Sequence, residues 1–126
     1  MTASNTRGGA KQFAANNLLD HKRETYWATD DGITTPELVL DLGKPVTFNV
    51  VSLREYLPLG QRVDAFALDQ FKDAQWVEFA KSTSIGNLRL VRGDRVTTDK
   101  VRLRITQAAA CPALAEFGLY AEPTKP

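Results

Sequence analysis

The sequence predicts an all-β domain built as a β-sandwich, and three observations carry that prediction. Short apolar–polar alternations recur along most of the chain, turn-forming clusters separate them, and only one short stretch reads as helical. Leu38, Leu40 and Leu42 alternate with Val39 and Asp41, and Gly43-Lys44-Pro45 is expected to end that strand. The next strand carries Phe48, Val50, Val51 and Leu53. Its apolar phase slips between Val50 and Val51, which predicts a bulge or a strand covered on both faces. Phe66 and Leu68 mark a third strand. Trp76 to Phe79 mark a fourth, beyond the turn-like Lys72-Asp73-Ala74, with Trp76 expected in the core, and Leu88 and Leu90 mark a fifth. Val101, Leu103 and Ile105 against Lys100, Arg102 and Arg104 give one buried and one solvated face. Phe117, Leu119 and Ala121 alternate with Gly118 and Tyr120 to complete the domain. Gln12 to Leu19 reads as a helical stretch of about two turns at most. Strands and turns at this spacing suit a sandwich.

Size and charge fit a single binding domain. The chain has 126 residues, 43% of them hydrophobic and 25% charged, and a net charge of +1. That length buries a core without disulfides. The charge gives no bias towards nucleic acid or a membrane surface, and no apolar run approaches the roughly 18 residues of a membrane span. One cysteine, Cys111, excludes an internal disulfide. Met1-Thr2-Ala3-Ser4-Asn5 has no apolar stretch behind it, so no secretory leader is read there, and the chain is expected to be a domain excised from something longer. Residues 1–121 form the domain, and 122–126 a loose tail.

Several segments carry a specific resemblance. Ala14-Ala15-Asn16-Asn17-Leu18-Leu19-Asp20, Thr25-Tyr26-Trp27-Ala28-Thr29, Leu40-Asp41-Leu42-Gly43, Lys100 to Ile105 and Glu116-Phe117-Gly118-Leu119-Tyr120 span nearly the whole chain. With them the chain resembles a coagulation factor 5/8 type C (discoidin-like) domain, an eight-stranded jelly-roll β-sandwich also called galactose-binding-like. Leu53 to Val63 and Cys111 to Tyr120 further resemble the version appended to family 29 α-L-fucosidases. The resemblance implies a non-catalytic, C-terminal accessory domain of a bacterial secreted or periplasmic glycoside hydrolase. It would be a monomer when isolated, with a glycan and the parent's catalytic domain as partners. The fucosidase activity itself belongs to a (β/α)₈ barrel of about 250 residues, and no such sequence is present.

The resemblance also implies a structural calcium, held by a loop with ligands at i, i+3, i+5 and i+8 and closed by a late Xaa-Glu pair. Those positions are Asn17, Asp20, Lys22 and Thr25, then Ala115 and Glu116. Calcium takes about 6–8 oxygens, and carbonyls serve as well as carboxylates. Asn17, Lys22 and Ala115 would therefore give carbonyls, Asp20 and Glu116 charge, and Thr25 its carbonyl and hydroxyl. His21-Lys22 departs from the family's usual Gly-Asp, and the lysine ammonium would weaken the ion's hold. Without calcium, Asp20 would cap a turn and Glu116 would pair with a basic residue.

A sugar site needs donors and acceptors that reach several hydroxyls, beside an aromatic wall. Arg54, Glu55, Tyr56 and Arg62 have this chemistry and bracket the Leu57-Pro58-Leu59-Gly60 turn, and Arg7 before Gly8-Gly9 can join them. The same residues could instead form the contact with a catalytic domain, or internal ion pairs. Trp27, directly after the loop, is expected to plug the core, whereas Tyr26 is more open. Cys111, beside Pro112, reads as a small buried hydrophobe, and His21 as a solvated loop residue. No His or Cys cluster suggests zinc, and Asp30-Asp31 cannot flank a scissile bond as adjacent residues of one turn.

Overall fold

The computed structural model describes residues 1–19 and 25–121. Seven strands follow in order: β1 (Thr2–Ala3), β2 (Trp27–Ala28), β3 (Glu37–Glu55), β4 (Val63–Lys72), β5 (Gln75–Thr83), β6 (Arg89–Ala108) and β7 (Ala113–Tyr120). Short 3-10 turns at Arg7–Gly9, Lys11–Phe13, Ala15–Leu19 and Leu57–Leu59 take the place of any α-helix among the described residues. The stretch read as helical is thus two separate 3-10 turns. All the pairings are antiparallel, in the order β2-β7-β3-β6-β4-β5, with β1 on β3.

The sandwich comes from two strands long enough to serve both sheets. Glu37 to Asp41 of β3 pair with Arg104 to Lys100 of β6, which continue to β4 and β5. Val50 to Leu53 pair with Arg92 to Arg89 on one side and with β7 on the other. This corrects the expected strand ends. Gly43-Lys44-Pro45 does not stop the chain but forms an irregularity within β3, between the pairs Asp41–Lys100 and Val46–Thr98. Gly43 takes φ +77°, and its N–H donates to Asp41 Oδ1 at 2.9 Å. Pro45, with no N–H to offer, sits where the ladder is already broken. Likewise the strand read at Leu88 and Leu90, which begins only at Arg89, and the one read at Val101–Ile105 are one strand, β6.

Both explanations for the slip at Val50–Val51 hold. The register shifts between Phe48 and Val50, and Val50, Val51, Ser52 and Leu53 are all buried. Leu38, Val101, Leu103, Phe66 and Leu68 of one sheet meet Val51, Leu53, Leu114, Phe117 and Trp27 of the other in a single core. Trp27 is fully buried, as expected. Trp76 is not in the core. It lies half-buried on the outer face, with the Arg102 guanidinium 4.6 Å from its ring centre and Phe71 edge-on at 5.2 Å.

Candidate functional site

Four segments converge at one end of the sandwich. They are the first turn at Arg7–Gly9, the β2–β3 connection through Asp31 to Thr34, the β3–β4 connection through Leu59 to Arg62, and Ala109 to Cys111 before β7. They line a pocket of about 540 Å³ together with Phe13, Tyr26 and Ala28.

Asn5 and Asp30 set the first segment in place. The Asp30 backbone N–H donates to Asn5 Oδ1 at 2.9 Å, Asn5 Nδ2 donates to Asp30 Oδ2 at 3.2 Å, and Gly8 N–H donates to Asp30 Oδ1 at 2.8 Å. Gly8 and Gly9 both take positive φ, which only glycine adopts without strain. The buried Trp27 anchors this turn by donating from Nε1 to the Asn5 carbonyl at 3.1 Å. The Gly8 N–H, and then the Asn5 amide, hold the Asp30 carboxyl below its usual range.

Arg7 and Arg62 then meet over Cys111. Arg7 Nη2 donates to Asp31 Oδ1 at 2.7 Å and to Cys111 Sγ at 3.0 Å. Arg62 Nη1 donates to the Cys111 carbonyl at 2.9 Å and to its Sγ at 3.2 Å, and Arg62 Nε donates to the Leu59 carbonyl at 3.1 Å. The hydrogen bond from Arg7 holds the Asp31 carboxyl low, and the same contact raises the Arg7 guanidinium. The Asp31 side chain is 89% exposed, so this pair is worth little as a stabiliser. Its effect is to fix two forked donors and one carboxylate around an open pocket. Tyr26 forms the aromatic wall. Its ring stacks on Tyr56 at 3.9 Å between centres and 16° between planes, and Phe13, also in the lining, tilts against it at 5.5 Å.

Of the residues expected at a sugar site, Arg7 and Arg62 line this pocket, and Tyr56 buttresses it from behind Tyr26. Arg54 and Glu55 do not belong to it, because strand alternation sends them to opposite faces. Glu55 turns inward and is 2% exposed. Its Oε1 accepts from the backbone N–H groups of Arg62 at 2.7 Å and Val63 at 3.0 Å, and its Oε2 from that of Gly86 at 2.7 Å. It is the carboxylate that moors the β3–β4 connection. Arg54 stands on the outer face, opposite Glu116 in the register, with Nε and Nη1 buried and without a hydrogen-bond partner among the described residues. Asp31, Cys111, Leu59 and Tyr26 complete the pocket. Their convergence from distant positions leaves no local sequence signal.

The expected calcium set can be compared with its described members; Asp20, His21 and Lys22 lie outside the described residues. Asn17 ties the two ends of the loop together: its Nδ2 donates to the carbonyls of Gln12 and Tyr26, each at 3.0 Å. In the β3–β7 ladder Arg54 pairs with Glu116 and Glu55 with Leu114, so Ala115 falls in a bulge with no partner there. That bulge suits a carbonyl ligand beside the Glu116 carboxylate. Glu116 Oε2 also accepts from the Ser52 hydroxyl. No group of three or more His, Cys, Asp or Glu converges among the described residues. Across the ladder from Glu116 stands Arg54, whose positive charge would oppose a cation there.

The fold defines a class, the galactose-binding-like jelly-roll domains. Within that class the chain belongs to the F5/8 type C domain family, whose model matches residues 1–121. It is 36% identical over 97% of its length to a protein of Oryza sativa subsp. japonica provisionally assigned as alpha-L-fucosidase 1, and 31% identical over 95% to alpha-L-fucosidase 1 of Arabidopsis thaliana. It spans 24% of each, about a quarter of these relatives. A GH29 fucosidase of Ruminococcus gnavus, solved with fucose, superposes with a TM-score of 0.88 at 32% identity, over 96% of this chain and 25% of that one. A chitosan-binding module of Paenibacillus sp. IK-5 superposes with a TM-score of 0.79 at 22% identity, over 95% of this chain and 92% of that one, and so shares the fold.

Proposed function

We propose that this chain is a non-catalytic, carbohydrate-binding accessory domain of an α-L-fucosidase, and that glycan is held in the loop-end pocket. The observation that carries the reading is the convergence of Arg7, Arg62 and Asp31 beside the Tyr26 ring. Forked donors and a carboxylate address neighbouring sugar hydroxyls, and an aromatic ring covers an apolar sugar face. A pocket of this size admits one or two sugar rings. Binding at such a single site is expected on the order of tens of micromolar to millimolar, about −4 to −6 kcal/mol. Calorimetric titration with fucose, galactose, N-acetylgalactosamine and a fucosylated oligosaccharide tests it. Saturable heat that disappears in Arg62→Ala supports the reading. Silence across the panel favours the alternative, a domain that docks on the catalytic barrel without binding sugar.

A structural calcium at Asn17, Asp20, Lys22, Thr25, Ala115 and Glu116 is part of the proposal, supported by the bulge at Ala115 and by the Asn17 staple. Here the ion would brace the loop that leads into Tyr26 and Trp27. Added Ca²⁺ should then raise the melting temperature and chelator lower it, the ion contributing about 2.7 kcal/mol of stability at a hundredfold excess over Kd. A melting curve unmoved by either addition removes calcium from the account.

A further inference from the structure

An apolar groove of about 380 Å³ opens where the end of β7 meets β3 and the turn Ala15–Leu19. Leu18, Leu40 and Phe117 close its floor and are buried. The surface open to a partner belongs to the walls, Leu19, Leu42, Val46, Leu119 and Tyr120. Leu19 is 42% exposed and Tyr120 46%, and the other three are half-buried. Two local features keep the walls open. The β3–β6 ladder is interrupted between Asp41 and Val46, so Leu42 lies where no partner strand covers the backbone. At Gly118 a β-carbon would come within 3.1 Å of the Tyr120 ring, so glycine leaves that ring room to lie along the strand. Glu116 is the only charged side chain of the lining among the described residues, and no residue of the groove lines the loop-end pocket.

We infer that this groove is the docking surface for the catalytic domain of the parent fucosidase, which fills it with apolar side chains. This role presupposes that the chain is a fucosidase's accessory domain, but not that the loop-end pocket holds sugar. Position selects the occupant first. The Met1 ammonium donates to Asn16 Oδ1 at 3.4 Å, on the same turn as Leu18 and Leu19, and β7 ends at Tyr120 in the groove wall. Both ends of the described chain therefore leave the domain beside the groove. The chain spans only 24% of each fucosidase relative, so the rest of such a protein is tethered next to the groove whichever end carries it. A short tether gives an effective concentration on the order of millimolar, enough to keep a weak contact closed. Chemistry selects the occupant second. Residues 20–24 and 122–126, outside the described part, contain no Leu, Ile, Val, Met or aromatic residue, so they offer nothing large and apolar to fill the groove. A sugar ring seated there would lose hydrogen bonds to water with little replacement, whereas apolar side chains gain the surface they bury. Docking on this side leaves the loop-end pocket open, so one molecule can hold its barrel and a glycan together.

Hydrogen exchange read by mass spectrometry, on this chain alone and on the full-length fucosidase that contains it, tests the docking role. Segments 42–46 and 117–121 should exchange at least about tenfold more slowly in the full-length protein. That is the protection a millimolar effective concentration gives a contact with a Kd of about 0.1 mM. Asp31, Gly32 and Cys111 in the loop-end pocket should exchange equally in both. Tyr120→Asp in the full-length protein should return the two segments to the rate of the isolated chain, with β4 unchanged as the control for folding. Leu42→Asp is the second variant and should do the same. The role is overturned if the segments exchange alike in both proteins, or if the protection falls on another face, such as the exposed Leu88 and Leu90. It is also overturned if the isolated chain is already protected there in a concentration-dependent way, which would make a second copy the occupant. Because the groove and the loop-end pocket share no lining residue, the sugar titration can fail without touching this result.

Discussion

Removing the Glu55 carboxylate would take the acceptor from three backbone N–H groups, those of Arg62, Val63 and Gly86, at the root of the β3–β4 connection. Charge-assisted bonds of this kind are worth more than neutral ones, and buried orphaned donors add their own penalty. Glu55→Ala should therefore lower unfolding stability by at least about 3 kcal/mol. It would be read as a fall in the urea midpoint with the slope unchanged. A loss within about 0.5 kcal/mol, typical of an ordinary surface change, would contradict that role. The chemistry of Arg54-Glu55-Tyr56 was legible in the sequence, but its division was missed. A period of two was already enough to say that Arg54 and Glu55 cannot share a face. That Arg7 and Arg62 meet over Cys111 was not legible, because 104 and 49 residues separate the partners and only the closed fold brings them together.

Among the elements, β6 is the one that most shapes the molecule. Its alternation of Val101, Leu103 and Ile105 with Lys100, Arg102 and Arg104 was read directly from the sequence, and the structure buries the first set but leaves the second half-buried on the outer face rather than solvated. Its true length was hidden, because the bulge at Gly93 to Arg95 resembles a turn when read locally. The same reason concealed the continuity of β3 through Gly43-Lys44-Pro45. On the outer face, Arg102 Nε and Arg104 Nε donate to Asp69 Oδ2 at 2.8 and 2.7 Å, and Arg104 Nη2 donates to Asp69 Oδ1 at 3.0 Å. Burial by itself would push the Asp69 carboxyl up, but the bonds from Arg104 and Arg102 together outweigh it and hold the carboxyl low. A folded-state pKa below the unfolded value, about 3.9, gives stability that is complete above that value and is lost as pH falls through the folded pKa. The melting temperature should therefore drop as the solution is acidified below about pH 4. Asp69→Asn should start lower at neutral pH and lose less on acidification. An Asp69→Asn curve parallel to that of the unaltered chain would show that other carboxylates carry the acid sensitivity.

At the scale of the whole molecule, the sandwich serves as a frame with loops at its ends and one open side. The fold class was readable because strand periodicity is local. The pocket was readable only as a set of residue types, since four separated segments build it and the Asn5–Asp30 pair that positions the first has no motif. Family membership accounts for the frame but leaves the occupant of the pocket to chemistry. The most direct test follows fucose and galactose titrated into isotope-labelled chain, with the guanidinium N–H signals of Arg7 and Arg62 and the amides of Asp31, Gly32 and Cys111 as reporters. A carbohydrate-binding domain predicts saturable shifts confined to those groups and their neighbours for at least one of the two sugars. Shifts centred on Arg54 and Glu116, or none with either sugar at millimolar concentration, would contradict the assignment of this pocket to glycan.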